Sequence, residues 1–129
     1  MKRARACGVA SKPKVLIVED DPNVRRLYAL GLNRYGFEVK LAANGAEAIE
    51  RINAEKPDLV LLDWLMPLMD GNEVLGKLGE NGNRSVPVIV ISGQPAPESL
   101  PPRILRWLTK PISIEELVKE IEMPVSLSS

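Results

Sequence analysis

Five side chains able to do chemistry stand where apolar runs stop. Glu19 and Asp20 follow Lys14-Val-Leu-Ile-Val18. Asp63 follows Asp58-Leu-Val-Leu-Leu62. Ser92 follows Val86-Pro-Val-Ile-Val-Ile91, and Lys110 comes two residues after Ile104–Leu108. If folding brings these ends together, three carboxylates crowd one another, and without a cation one or more of their pKa values must rise. A hard, oxygen-seeking cation relieves that conflict. Mg²⁺ suits it, because it uses one or two carboxylates together with water and phosphate oxygens. A lysine and a hydroxyl facing the acids complete a cradle for a phosphoryl group. Asp is a recognised nucleophile for phosphoryl transfer, and the chemistry needs little beyond placement and charge neutralisation.

The elements that must position these groups are legible from periodicity. The first three apolar runs read as buried strands and Ile104–Leu108 as a fifth strand. Phe37–Leu41 alternates instead and reads as a strand near an edge, with one face less buried. Between strands lie helical signals. Asp21 is placed to cap a helix with Pro22 at its first position, and Val24, Leu27, Tyr28, Gly31 and Tyr35 follow at helical spacing up to a stop at Gly36. Asn44 caps a second helix carrying Ala46, Ile49 and Ile52, which ends before Pro57. Asp70-Gly-Asn-Glu73 and Ser113-Ile-Glu-Glu116 have capping-box spacing. The first opens a helix with Val74, Leu75 and Leu78, the second a last helix with Leu117, Val118 and Ile121. Strands alternating with helices imply an α/β fold, a parallel sheet covered on both faces. In such a sheet, ligands bind at the carboxyl ends of the strands near the topological switch point. A strand order of 2-1-3-4-5 would put all five groups on one edge.

VLIVEDDP, LLDWLMPLMDG, VIVISG and LTKP, in this order and spacing, make residues 14–122 resemble the receiver domain of two-component response regulators. The resemblance implies a flavodoxin-like five-stranded parallel sheet, order 2-1-3-4-5, with helices on both faces. It implies roles residue by residue. Asp63 is the phosphoacceptor, and Asp20 the direct Mg²⁺ ligand with Glu19 as its acidic partner. The backbone carbonyl of Leu65 is a further metal ligand. Ser92 is the hydroxyl that shifts to meet the phosphoryl group, and Lys110 pairs with Asp63 or with the phosphate. Trp107 falls where the family usually carries Tyr or Phe, a ring whose rotation reports activation. The Lys110–Pro111 peptide is commonly cis in the family. The implied phosphodonor is a sensor histidine kinase or a histidine phosphotransfer protein, and the downstream partner is unnamed.

The chain also departs from that pattern. Ser92 and Lys110 are closer together than is usual in the family, by about one helical turn. Prolines 95, 97, 101 and 102 occupy the interval and remove backbone donors. The fourth helix is therefore expected to be short or degenerate, at most one turn around Ala96–Leu100. The Gly-Ala pair that usually precedes the fifth strand is missing. Helix 4, strand 5 and helix 5 form the face through which the family commonly signals, so that face is altered here. Leu65 and Gln94, two residues past Asp63 and Ser92, stand where the family tunes access of hydrolytic water. Apolar Leu65 is expected to slow loss of the phosphoryl group.

Composition bounds the rest. The 129 residues suit one domain and show no internal repeat. The 17 basic and 17 acidic residues cancel overall, yet Lys2, Arg3, Arg5, Lys12 and Lys14 precede any acid. Residues 1–13 are expected to form a basic, disordered arm, 14–123 a mildly acidic receiver domain, and 124–129 a tail. That balance gives no reason to expect direct nucleic-acid binding by the folded part. Cys7 is the single cysteine, which fits a reducing cytoplasm, and no run approaches the roughly 18 apolar residues of a membrane span. With no histidine, the chain has no His-based triad and must take its phosphoryl group from a partner.

Plain readings stand beside the functional ones. Asp21 and Asp70 suit helix caps better than ligands, Trp107 could be core packing, and Met66 and Met69 apolar filler. Two other functions compete with the switch. One is a pseudo-receiver, a phosphorylation-independent interaction module of the same fold. The other is a phosphohydrolase of the haloacid dehalogenase type, disfavoured because Leu65 replaces its second Asp. P-loop chemistry lacks its GK[ST] signature. The expectation is a protein that is not an enzyme on external substrates. With no output domain after residue 122, a stand-alone receiver is the natural form, although a module of a larger signalling protein fits equally.

Overall fold

A computed structural model describes residues 13–64, 86–100 and 104–122. The basic arm, Leu65, the helix expected after Asp70 and the tail lie outside the described residues. Five strands, β1 (Lys14–Val18), β2 (Glu38–Ala42), β3 (Leu59–Asp63), β4 (Val88–Ser92) and β5 (Ile104–Thr109), form one sheet in the order β2-β1-β3-β4-β5. Every neighbouring pair is parallel. The described helices are α1 (Pro22–Arg34), α2 (Gly45–Glu55) and α3 (Ile114–Glu122).

Strand alternation divides the core. Leu16, Val18, Val60, Leu62, Val88 and Val90 point to one face and pack with Ala48 and Ile52 of α2. Val15, Ile17, Leu59, Leu61, Ile89 and Ile91 point to the other, against Tyr28 and Leu32 of α1, Phe37, and Leu117 and Val118 of α3. Both faces are therefore covered, which is why the inner strands β1, β3 and β4 read as apolar runs. The two edge strands differ: β2 is mostly exposed or half-buried with Glu38 outward, and β5 is half-buried and carries Arg106.

Local chemistry sets the helix ends. The Asp21 carboxylate accepts from the N–H groups of Asn23 and Val24, with Pro22 opening α1. Gly36 follows α1 at φ 94, a left-handed conformation that costs glycine nothing. At the start of α2 the Glu47 N–H donates to Asn44 Oδ1 while the Glu47 carboxylate accepts from the Ala43 N–H, and Ser113 and Glu116 bond reciprocally across the start of α3.

Two helix faces differ from their sequence reading. In α1, Leu27 is 59% exposed and Tyr35 is exposed too, while Leu32 is buried in their place. In α2, Ala48 is buried and Ala46 exposed. A stripe of apolar residues spans more of a helix than a flat sheet can cover, so the packing angle decides which members are buried.

The fourth helix is reduced as expected. No helix occurs within residues 93–100, and β5 begins at Ile104. The β4–β5 register skips Leu105, a bulge at the start of the strand.

Candidate functional site

The carboxyl ends of β1, β3, β4 and β5 meet on one edge, because parallel pairing aligns them. Val18 sits opposite Leu62, Asp63 opposite Ile91, and Ser92 opposite Thr109. Each strand's final residue, or the one after, is therefore delivered to the same place. Glu19, Asp20 and Asp63 each present a carboxylate oxygen there, all within 4.8 Å of one another. They are the one candidate metal-ligand cluster among the described residues. Glu19 is buried, Asp63 half-buried and Asp20 exposed, so the cluster opens toward solvent on the Asp20 side.

Glu19 is held most firmly. Its Oε2 accepts the Asp21 N–H at 3.2 Å, its N–H donates to the Ala42 carbonyl at 3.1 Å, and its own carbonyl accepts from Arg25 Nη1 at 2.8 Å. Lys110 Nζ lies 3.7 Å from Glu19 Oε1. The lysine thus makes its ion pair with Glu19 rather than with Asp63. Glu19 is the more deeply buried acid, and the charge of Lys110 pulls down the pKa of both Glu19 and Asp63.

The crowding has the expected electrical consequence. Glu19 is pushed up to about 7, first by burial and then by the charge of Asp63. Asp63 also stands above the ordinary carboxylate value, again first by burial. Lys110 and a hydrogen bond from Glu19 pull it down, and Asp20 pushes it up. Tyr28, on α1 beneath the cluster, has its hydroxyl raised by burial and by the charges of Glu19 and Asp63. Three hard oxygen donors sharing a proton-hungry site fit a small divalent cation such as Mg²⁺.

Ser92 is buried at 2% exposure, and its Oγ accepts the Gln94 N–H at 3.0 Å. The Lys110 N–H donates to the Ser92 carbonyl at 2.7 Å, tying the ends of β4 and β5 together. The Lys110–Pro111 peptide is cis. Trp107 Nε1–H donates to the Gln94 carbonyl at 2.9 Å, and its ring lies 5.1 Å from that of Trp64, tilted by 56°. Glu19, Asp20, Asp63, Ser92 and Lys110 thus converge on one sheet edge, with Trp107 beside them. Leu65 lies outside the described residues. Asp21 serves as a cap, not as a member of the cluster.

Sequence reading missed Arg25 and Tyr28 as neighbours of the site, and the packing of Trp64, which adjoins Asp63, against Trp107. Arg25 lies four residues after the Asp21 cap, one turn into the helix, and that spacing was the available signal. The Trp64–Trp107 contact carries no sequence signal, since the two rings are 43 residues apart and come from different strands.

Comparison with known proteins agrees with this geometry. The sequence profile described as the response regulator receiver domain matches residues 15–122. Hybrid signal transduction histidine kinase D of Dictyostelium discoideum is 35% identical over 120 residues, 88% of this chain and 8% of that protein. Transcriptional regulatory protein PrrA of Mycobacterium leprae is 37% identical over 122 residues, 89% of this chain and 50% of that protein. The receiver domain of the Francisella response regulator 1452 superposes with a TM-score of 0.80 at 30% identity, covering 92% of this chain and 100% of that one. The chain spans half or less of the length of these two sequence relatives.

Proposed function

The chain belongs to the response regulator receiver domain family, and we propose that Asp63 accepts a phosphoryl group from a phosphohistidine on a partner kinase or phosphotransfer protein. The observation that carries this is the convergence of the Glu19, Asp20 and Asp63 carboxylates within 4.8 Å, with Lys110 paired to the innermost of them. An Asp63 carboxylate oxygen attacks phosphorus, the P–N bond to the imidazole breaks, and the departing ring takes up a proton. The product is an acyl phosphate on Asp63.

Asp20, Glu19 and Asp63 would hold Mg²⁺, with the Leu65 carbonyl as a further ligand. Bound there, the ion neutralises charge on the carboxylates and on the phosphoryl oxygens. Lys110 supplies a second positive charge, and Ser92 offers a hydroxyl to the transferred group. The added charge and acceptor oxygens bias a two-state equilibrium, and Ser92 and Trp107 move with it. The matched domain occurs in a relative named a hybrid kinase and in one named a transcriptional regulatory protein. The domain alone therefore does not fix the output, and nucleic-acid binding by a longer protein is compatible with it. Among the described residues no helix is long and apolar enough to cross a membrane.

Mass spectrometry after incubation with acetyl phosphate and Mg²⁺ tests the assignment. One phosphoryl adduct should form on the native chain, vanish in Asp63→Asn and weaken sharply in Asp20→Asn or in chelator. An adduct that survives Asp63→Asn sinks the assignment, as does a native chain that never labels.

A further inference from the structure

Arg25 holds the chain on both sides of Asp20. Its Nη1 donates at 2.8 Å to the Glu19 carbonyl, which belongs to the Glu19–Asp20 peptide. Its backbone N–H donates to the Asp21 carbonyl at 2.9 Å. Asp20 itself makes no backbone hydrogen bond among the described residues, and it is the exposed member of the acid cluster. The charges felt most by Glu19 and Asp63 are those of Asp63, Asp20 and Lys110, not that of Arg25. The guanidinium is thus spent on the backbone beside the carboxylates and leaves the carboxylates to a cation.

We infer that Arg25 is a positioning residue for the divalent cation, fixing the backbone around Asp20 so that this carboxylate is aimed before the ion arrives. This rests on the reading that Asp20 holds Mg²⁺ beside the phosphoacceptor Asp63. Asp20 and Asp63 repel each other, and exposed Asp20 has no packing to oppose the push. Mg²⁺ requires near-ideal octahedral geometry at about 2.1 Å, so a ligand whose backbone swings away loses affinity. A hydrogen bond from a guanidinium is charge-assisted and stronger than a neutral one. Aimed at a carbonyl, it steadies the chain without competing with the metal for a carboxylate. Its anchor is firm. Arg25 lies in the first turn of α1, which Asp21 caps and Pro22 opens, and Tyr28 and Leu32 bury the same helix in the core. Charge alone makes the opposite prediction. A cation near the site repels Mg²⁺, so removing it would tighten binding. Positioning requires that removing it weakens binding.

Arg25→Met keeps much of the stem and deletes the donor. Arg25→Lys keeps the charge but not the planar fork. Mg²⁺ is titrated into native protein and both variants, and the NMR shifts of the Glu19, Asp20 and Asp21 amides give the dissociation constant. Arg25→Met should bind Mg²⁺ about tenfold more weakly, the low end of what one charge-assisted hydrogen bond is worth. Arg25→Lys should fall between that variant and the native chain. In chelator, ¹⁵N relaxation should show the Asp20 amide less ordered in Arg25→Met than in the native chain, which reads the tether without any metal. Labelling by acetyl phosphate should need more Mg²⁺ to reach half its maximal rate and should recover at saturating Mg²⁺. A residue needed only for folding would not produce that split, and thermal unfolding checks that both variants are folded. Equal or tighter Mg²⁺ binding by Arg25→Met overturns the positioning role, as does an Asp20 amide equally ordered in both proteins. If Arg25→Met does not fold, Arg25→Lys decides, and native Mg²⁺ affinity in it overturns the role. A native protein that neither binds Mg²⁺ at these amides nor labels overturns the phosphoacceptor reading, and this role with it.

Discussion

At the scale of the residue, Glu19 is the most constrained member of the site. It is a buried acid whose carboxyl, carbonyl and N–H are all engaged, and its pKa stands at about 7 against an ordinary 4.5. A carboxyl with a raised folded-state pKa binds more protons folded than unfolded between those two values. Its contribution to stability is then full below about pH 4.5 and lost as pH rises through about 7. The upward shift of Asp63 acts in the same sense. Metal-free protein should therefore melt at lower temperature at pH 7.5 than at pH 5, and Glu19→Gln should flatten much of that slope. With no histidine in the chain, few other side chains titrate in the window. A melting temperature that climbs steadily from pH 5 to 7.5 in chelator would contradict this account. A second prediction belongs to Leu65, where an apolar side chain replaces the acid or carboxamide that could orient water. Phosphoryl loss from Asp63 should be slow, and Leu65→Asn should hasten it. Phosphoprotein that decays within seconds in the native chain refutes the idea.

At the scale of the element, strand ends and caps are written locally, whereas the buried face of a helix is not. Asp21, Asn44 and Ser113 cap the helices that their spacing predicts, because a cap involves only the few residues beside it. Leu27 and Leu30 of α1 are each 59% exposed, and Gly31 faces Ile114 of α3. A Cβ built on Gly31 lies 2.6 Å from Ile114 Cδ1 and 2.9 Å from its Cγ2, so more than the tip of that side chain must move. Gly31→Ala should consequently destabilise the fold by about 1 kcal/mol, overpacking outweighing the gain in helix propensity. Urea denaturation measures it, and a stabilised variant would show that α3 yields freely. Between β4 and β5 the prolines did what their chemistry requires. Residues 93–100 form no helix, yet the chain still returns to pair Ser92 with Thr109.

At the scale of the whole molecule, the sheet brings distant acids together against their mutual repulsion, and a cation should reward the fold for doing so. Mg²⁺ should raise the melting temperature, with a gain of about 2.7 kcal/mol at a hundredfold excess over its dissociation constant. Asp20→Asn should abolish most of that gain, and an equal Mg²⁺ response in the variant would remove Asp20 from the ligand set. The sheet order, the convergence of Glu19, Asp20, Asp63, Ser92 and Lys110, and the reduced fourth helix were all legible in the sequence. The strands, their chemical ends and the missing helix follow from short apolar runs, the polar residue that ends each run, and proline's missing donor, which are properties of neighbours along the chain; the order 2-1-3-4-5, and with it the convergence, came from the resemblance to receiver domains. The tertiary structure alone decided that Lys110 pairs with Glu19 instead of Asp63, that Arg25 grips the Glu19 carbonyl, and that Trp64 leans on Trp107. The two pairings that join different strands depend on the depth and rotation at which the elements seat. Those are set by packing over the entire core, so no local pattern of residues encodes them.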